Sequence, residues 1–176
     1  MRIFAAALLA CALIGSAHAQ EAAPDATVAG FYGAYKSFHP SDGIPDAKGR
    51  ARYEPFLSPA LNRALVAAAA AEDKFAKANK DSPPLIEGDL FTSNFEGATE
   101  EVPQPCRVEG AEARCPVQLT YTGAKAKPLV WTDTLLLVKT EAGWRVDDIA
   151  YGGNWDFGNK GRLSDTLRQT AAMASD

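Results

Sequence analysis

With 176 residues, 47% of them hydrophobic, the chain is long enough for one domain with its own core. Its 22 acidic side chains outnumber 18 basic ones, giving a net charge of −4, and this argues against nucleic acid, whose phosphates would be repelled. No basic run suits an anionic lipid surface either.

The first residues read as a secretion signal over 1–19. Arg2 supplies the positive start, Ile3 to Gly15 an apolar run, and Ala17-His18-Ala19 a small-residue cleavage site before Gln20. The run is too short to cross a bilayer, which takes about 20 residues, and no later segment is long and apolar enough to span one. Leu8-Leu9-Ala10-Cys11 loosely resembles a lipobox. Cleavage there would leave the apolar run continuing behind it, so anchoring through Cys11 is the lesser alternative to a free periplasmic or secreted protein.

Residues 20–26 are expected as a disordered leader and 27–172 as a single domain. Asp25 or Thr27 can cap a first helix reaching about Phe38, with Val28, Phe31, Tyr35 and Phe38 on one face. A loop at Pro40–Pro45 and a short helical turn carrying Tyr53, Phe56 and Leu57 follow. Ser58-Pro59 is a strong helix start, an N-cap with proline at the first helical position, and the helix after it reaches about Asn79. Residues 81–105 read as extended and irregular. Strands are expected over 106–109, 112–122, 129–139 and 144–151, with a turn at Glu141-Ala142-Gly143. Gly152 to Gly161 is a glycine-rich loop, and a last helix begins at Ser164.

The cysteines fit export. A two-residue turn at Gly110-Ala111 sets Cys106 opposite Cys115 on a non-hydrogen-bonded rung, where side chains approach closest. A disulfide fits there without backbone movement, and an oxidising compartment favours it. Val108, Cys115, Val117, Leu119 and Tyr121 share one face of this strand pair, the alternation of a half-buried antiparallel sheet. Helices first and antiparallel strands after make an α+β fold. N-terminal helices pack on a bent, cone-like sheet, and a short helix ends the chain.

Several segments, in order, resemble a known family: Phe31-Tyr32, Tyr53 to Leu61, Gly88-Asp89-Leu90-Phe91-Thr92-Ser93, Trp131 to Val138, Gly143 to Gly153, and Gly161 to Leu167. They are similar to the bacterial envelope proteins of the domain-of-unknown-function 3828 family, over roughly residues 27–170. The resemblance implies an exported α+β domain of the nuclear-transport-factor-2-like cone type, without an established activity or agreed catalytic residues. Fold analogy of this kind does not assign a function.

The chemistry that the residues themselves permit is narrow. His39 is the one histidine outside the secretion signal, and it stands before Pro40 with no nucleophile elbow around it. Zinc-type Cys/His clusters and phosphate-cradling glycine loops are absent from the sequence, and no cofactor is expected. Acidic residues are more ambiguous. A three-residue turn closed by Gly143 would put Trp131, Asp133, Asp147, Ile149 and Tyr151 on one face and Thr132, Thr134, Leu136, Val146 and Asp148 on the other. Whether Asp147 or Asp148 faces the interior stays open. An inward aspartate must be hydrogen-bonded, to backbone amides or a tryptophan indole, or its pKa rises. Glu87, Asp89 and Glu96 suggest calcium only weakly; Asp89 is better placed to cap a turn around Phe91-Thr92-Ser93.

The leading expectation is an exported, non-catalytic module that binds a small ligand or an envelope protein. Its site would lie at the open end of the cone: Tyr32, Asp89, Trp131, Asp148, Tyr151 and Trp155. The alternative is a cofactor-independent isomerase- or dehydratase-like enzyme, with Asp148 or Asp133 as base and Tyr32 or Tyr151 as proton donor. A third reading is an envelope immunity or inhibitor protein with a protruding loop at 152–161. The outer sheet face is a possible homodimer surface.

Overall fold

The computed structural model describes residues 23–37, 43–124 and 127–173. Residues 1–19, read as a secretion signal, and Phe38 and His39 lie outside the described residues. The elements are helix α1 (Pro24–Tyr35), helix α2 (Ala47–Tyr53) running into a 3₁₀ turn (Glu54–Phe56), and helix α3 (Pro59–Ala78). Strands β1 (Glu100–Pro103), β2 (Arg107–Glu109), β3 (Glu112–Tyr121), β4 (Leu129–Thr140) and β5 (Gly143–Ala150) follow, then helix α4 (Leu163–Met173). The fold is α+β, with an antiparallel sheet in the order β1-β3-β4-β5 and β2 also paired to β3. Among the described residues no helix is long and apolar enough to cross a membrane.

Local chemistry explains the helix starts. Ser58 caps α3, accepting from Leu61 N at 3.0 Å, with Pro59 at the first helical position. The first helix differs from expectation. It begins at Pro24, inside the stretch expected as leader, because proline's fixed φ suits the first turn while Ala23 takes the cap position. Thr27 is no cap; its hydroxyl donates to Trp144 O at 3.0 Å and ties α1 to β5.

Inward residues alternate along the sheet. Ala113, Cys115, Val117 and Leu119 of β3 and Trp131, Asp133, Leu135 and Leu137 of β4 are buried. They meet Val28, Phe31, Tyr32 and Tyr35 of α1 and Phe91 of the 85–99 segment in one core. Val108 shares the inward side of its ladder but lies beyond the helices and is half exposed.

Three sheet features depart from the sequence reading. The turn between β4 and β5 has two residues, Glu141 and Ala142, not three, since Thr140 pairs with Gly143. Glu100–Pro103 is a strand, β1, within the segment read as irregular. And β5 carries a bulge at Asp147. Val138 pairs with Arg145 and Leu137 with Val146, but Leu136 pairs with Asp148 and Leu135 with Ile149. Counted from the turn, Val146 falls opposite Leu137 on the core side and is fully buried, and the extra residue then puts Asp148 on the other side and Ile149 back in the core. The free edge of β5 is covered. Ser58 N donates to Val146 O at 2.8 Å and Tyr151 N to Gly161 O at 3.1 Å, which removes a template for strand addition.

The Cys106–Cys115 disulfide is formed, with a Cα–Cα distance of 4.2 Å, the spacing of a non-hydrogen-bonded pair. It fastens the start of β2 to the buried side of β3.

Candidate functional site

Two loops meet where the sheet ends. The first, residues 86–99, turns on two buried acids. Asp89 Oδ1 accepts from Phe91 N at 2.6 Å and Thr92 N at 2.8 Å, the turn-capping role expected of it. Its Oδ2 accepts from the Tyr35 hydroxyl at 2.5 Å, and that hydroxyl accepts from Ala98 N at 2.9 Å. Asp133 Oδ1 accepts from Ser93 Oγ and from Gly152 N at 2.8 Å. Its Oδ2 accepts from Ser93 N at 2.7 Å and from Trp131 Nε1 at 3.0 Å. Ser93 Oγ in turn accepts from Gly153 N at 2.9 Å. One carboxylate on β4 therefore fixes the first loop and the start of the second.

The second loop is the glycine-rich stretch 152–161. Glycine is required at three of its positions by close approach, beginning with Gly152, where a Cβ would lie 2.0 Å from Thr132 O. A Cβ on Gly153 would lie 2.6 Å from both Ser93 Cβ and the Trp155 ring, and one on Gly158 would lie 2.7 Å from Trp155 Nε1. The indole thus lies against bare backbone, and it meets Trp131 edge-on at 5.5 Å. Asn159 joins the loops: its Nδ2 donates to Asp89 O and Thr92 O, each at 2.7 Å, and its N to Ser93 O at 2.8 Å.

These bonds present two facing turns. Gly97 N donates to Asn94 O at 2.9 Å, and Asn94 Nδ2 to Gly97 O at 2.8 Å, with Phe95 and Glu96 at the tip. Gly158 N donates to Trp155 O at 3.4 Å, with Asp156 and Phe157 at that tip. Between them runs a groove of about 460 Å³ lined by Asn94, Phe95, Glu96, Leu129, Trp155 and Phe157. Phe157 is 90% exposed, Phe95 44% and Leu129 37%.

Of the six residues expected at the site, five gather at or beneath this end of the sheet, and only Trp155 reaches the groove. Trp131 and Asp89 support it from below, and Tyr151 donates its hydroxyl to Leu90 O at 2.7 Å. Tyr32 is buried in edge-to-face contact with Phe31 and Tyr35, and its hydroxyl has no hydrogen-bond partner among the described residues. Burial first, then the nearby Asp133 and Asp89 charges, raises its pKa well above the usual tyrosine value.

Asp148 belongs elsewhere. It accepts from Ser164 N at 3.0 Å, Ser164 Oγ at 2.7 Å and Ile149 N at 2.9 Å, so it anchors the first turn of α4. That docking is why Asp148 is buried although its rung faces outward. Among the described residues no three His, Cys, Asp or Glu groups converge to hold a metal ion. Sequence reasoning missed Phe95, Leu129, Phe157, Ser93 and Asn159; the one local signal was Asn94-Phe95-Glu96-Gly97, a turn sequence carrying an aromatic at its tip.

Asp89 has a testable electrostatic signature. Burial pushes its carboxyl up from 3.8 to about 7, against the lowering effect of the Tyr35 hydroxyl and the Phe91 and Thr92 amides. Between those values the folded chain holds a proton that the unfolded chain has released. Asp89's contribution to stability is therefore full below the lower value and is lost as pH rises through the upper one. Urea midpoints of the wild type should fall from about pH 5 to about pH 8 by more than those of Asp89→Asn, whose amide mimics the neutral acid. Equal pH slopes in the two proteins would contradict this assignment.

No protein-family model matches the chain, and no curated protein matches it.

Proposed function

We propose that this protein is a non-catalytic binding module of the cell envelope, which takes a small ligand with an apolar portion into the groove between the 94–97 and 155–158 turns. The observation that carries this reading is Phe157, a large apolar side chain 90% exposed on a hydrogen-bonded loop, facing a second exposed phenylalanine across an apolar groove. Large apolar side chains held in water at a concave place mark interaction sites. The groove's volume lies in the range of small-molecule sites, roughly 300–1,000 Å³.

Asp133 and Tyr151 are engaged in holding the loops rather than free for proton transfer. Both oxygens of Asp133 already accept two hydrogen bonds each, and the Tyr151 hydroxyl already donates to a carbonyl. Neither has a free position for a substrate proton. The secretion signal, the disulfide and the resemblance to the envelope family support an exported location, and that resemblance also supports a curled, cone-like sheet.

The test is a titration with 1-hexanol followed by tryptophan fluorescence, since Trp155 lines the groove. The wild type should show a saturable change, and Phe157→Ala should weaken it about tenfold, the cost of losing one large apolar contact. Absence of saturation, or equal affinity in both proteins, would defeat the reading.

A further inference from the structure

The groove is apolar but not neutral in character. Three aromatic rings line it, from Phe95, Trp155 and Phe157, and aromatic rings carry electron-rich faces. Glu96, at the tip of the 94–97 turn, is the one charged side chain among the lining residues. Its carboxylate is exposed, so it pays no desolvation penalty while free. No lining residue is cationic, and the nearby Lys160 ammonium is turned to Gly153 O at 3.0 Å.

From this complementarity we infer that the groove selects small organic cations, alkylated or quaternary ammonium compounds carrying an aliphatic group. Resting on the groove being the binding site, this names the chemistry of its ligand. An anion would meet both the Glu96 carboxylate and the negative ring faces. A neutral aliphatic molecule would use the rings and leave Glu96 idle. An ammonium uses both: its alkyl groups lie against Leu129 and the rings, its charge is spread over the aromatic faces, and Glu96 balances it at the rim.

Two of the three rings, Trp155 and Phe95, are held in place in advance. Trp155 is wedged against Gly153 and Gly158 and braced by Trp131, whose indole is tied to Asp133. Phe95 lies over Gly88, where an added Cβ would come within 2.5 Å of its ring. Asn159 locks the two loops together. Rings held this way lose little freedom on binding, which favours affinity.

The experiment compares three probes with the same six-carbon chain by calorimetry: hexyltrimethylammonium, 1-hexanol and hexyl sulfate, each below its aggregation concentration. The wild type should bind the cation about tenfold more tightly than the alcohol, and the sulfate most weakly. Glu96→Gln, a change at an exposed turn tip, should reduce the ratio of cation to alcohol affinity severalfold. Equal binding of cation and alcohol would overturn the cation inference while the groove stands as a binding site. Failure of all three to bind would remove both. Unchanged cation preference in Glu96→Gln together with unchanged preference in Phe157→Ala would place cation selection outside this groove and overturn the inference.

Discussion

Asp133→Asn should lower the stability of the fold by about 2–4 kcal/mol, measured as a loss in unfolding free energy in urea. The carboxylate is fully buried and receives four donors, two on each oxygen. An asparagine side chain has one acceptor oxygen and one donor NH₂ group. Turned one way, its NH₂ faces the Ser93 N and Trp131 Nε1 donors; turned the other way, it faces the Gly152 N donor beside Ser93 Oγ, a hydroxyl that can reverse to accept. Donor against donor in a buried place loses the hydrogen bonds and leaves the groups without water. The effect is large against a total of roughly 5–15 kcal/mol for a domain of this kind. Because both loops hang on this acid, the fluorescence of Trp131 and Trp155 should also change in the folded variant. A loss below about 1 kcal/mol would show that the network is not what holds the loops.

Reducing the Cys106–Cys115 disulfide should lower stability by about 2–3 kcal/mol, the loop-closure value for a short loop. The bridge closes a sequence separation of 9 residues, so its effect on the unfolded chain is modest. Its position adds to it. β2 has only three residues, all exposed, and its pairing with β3 is held by little besides the bridge and the Gly110-Ala111 turn. Cys106→Ala with Cys115→Ala should lower the urea midpoint of the oxidised protein to that of the reduced wild type. An unchanged midpoint on full reduction would contradict a stabilising role.

The parts of the fold legible in the sequence are those with regular local signals. Alternation along 112–121 and 129–140 sets the buried face of β3 and β4, and Ser58-Pro59 marks the start of α3. Strand β1 was illegible because Glu100-Glu101-Val102-Pro103 is short, charged and ends in proline, the composition of an edge strand. The bulge at Asp147 leaves no mark in a period-two pattern, yet it decides the side on which Asp148 and Ile149 lie. The burial of Asp148 depends on α4 docking 16 residues further along the chain.

The site was half visible for a similar reason. Aromatic and acidic residues near the end of the sheet could be picked out, but not which of them face water. Phe31 and Phe157 are the same residue type; one is fully buried and the other 90% exposed, and only the packing of distant segments separates them. Ser93 lies 40 residues from Asp133 and Asn159 lies 70 from Asp89, so the bonds that shape the groove have no local signature.

The most direct test of the groove as the binding site is an amide chemical-shift map recorded during titration with hexyltrimethylammonium. The expected shifts concentrate at residues 94–97, 129 and 155–158, with the indole N–H of Trp155 among the largest, and they vanish together in Phe157→Ala. Shifts centred instead on the outer sheet face around Arg114, Asp147 and Arg162, where a second groove lies, would contradict the account.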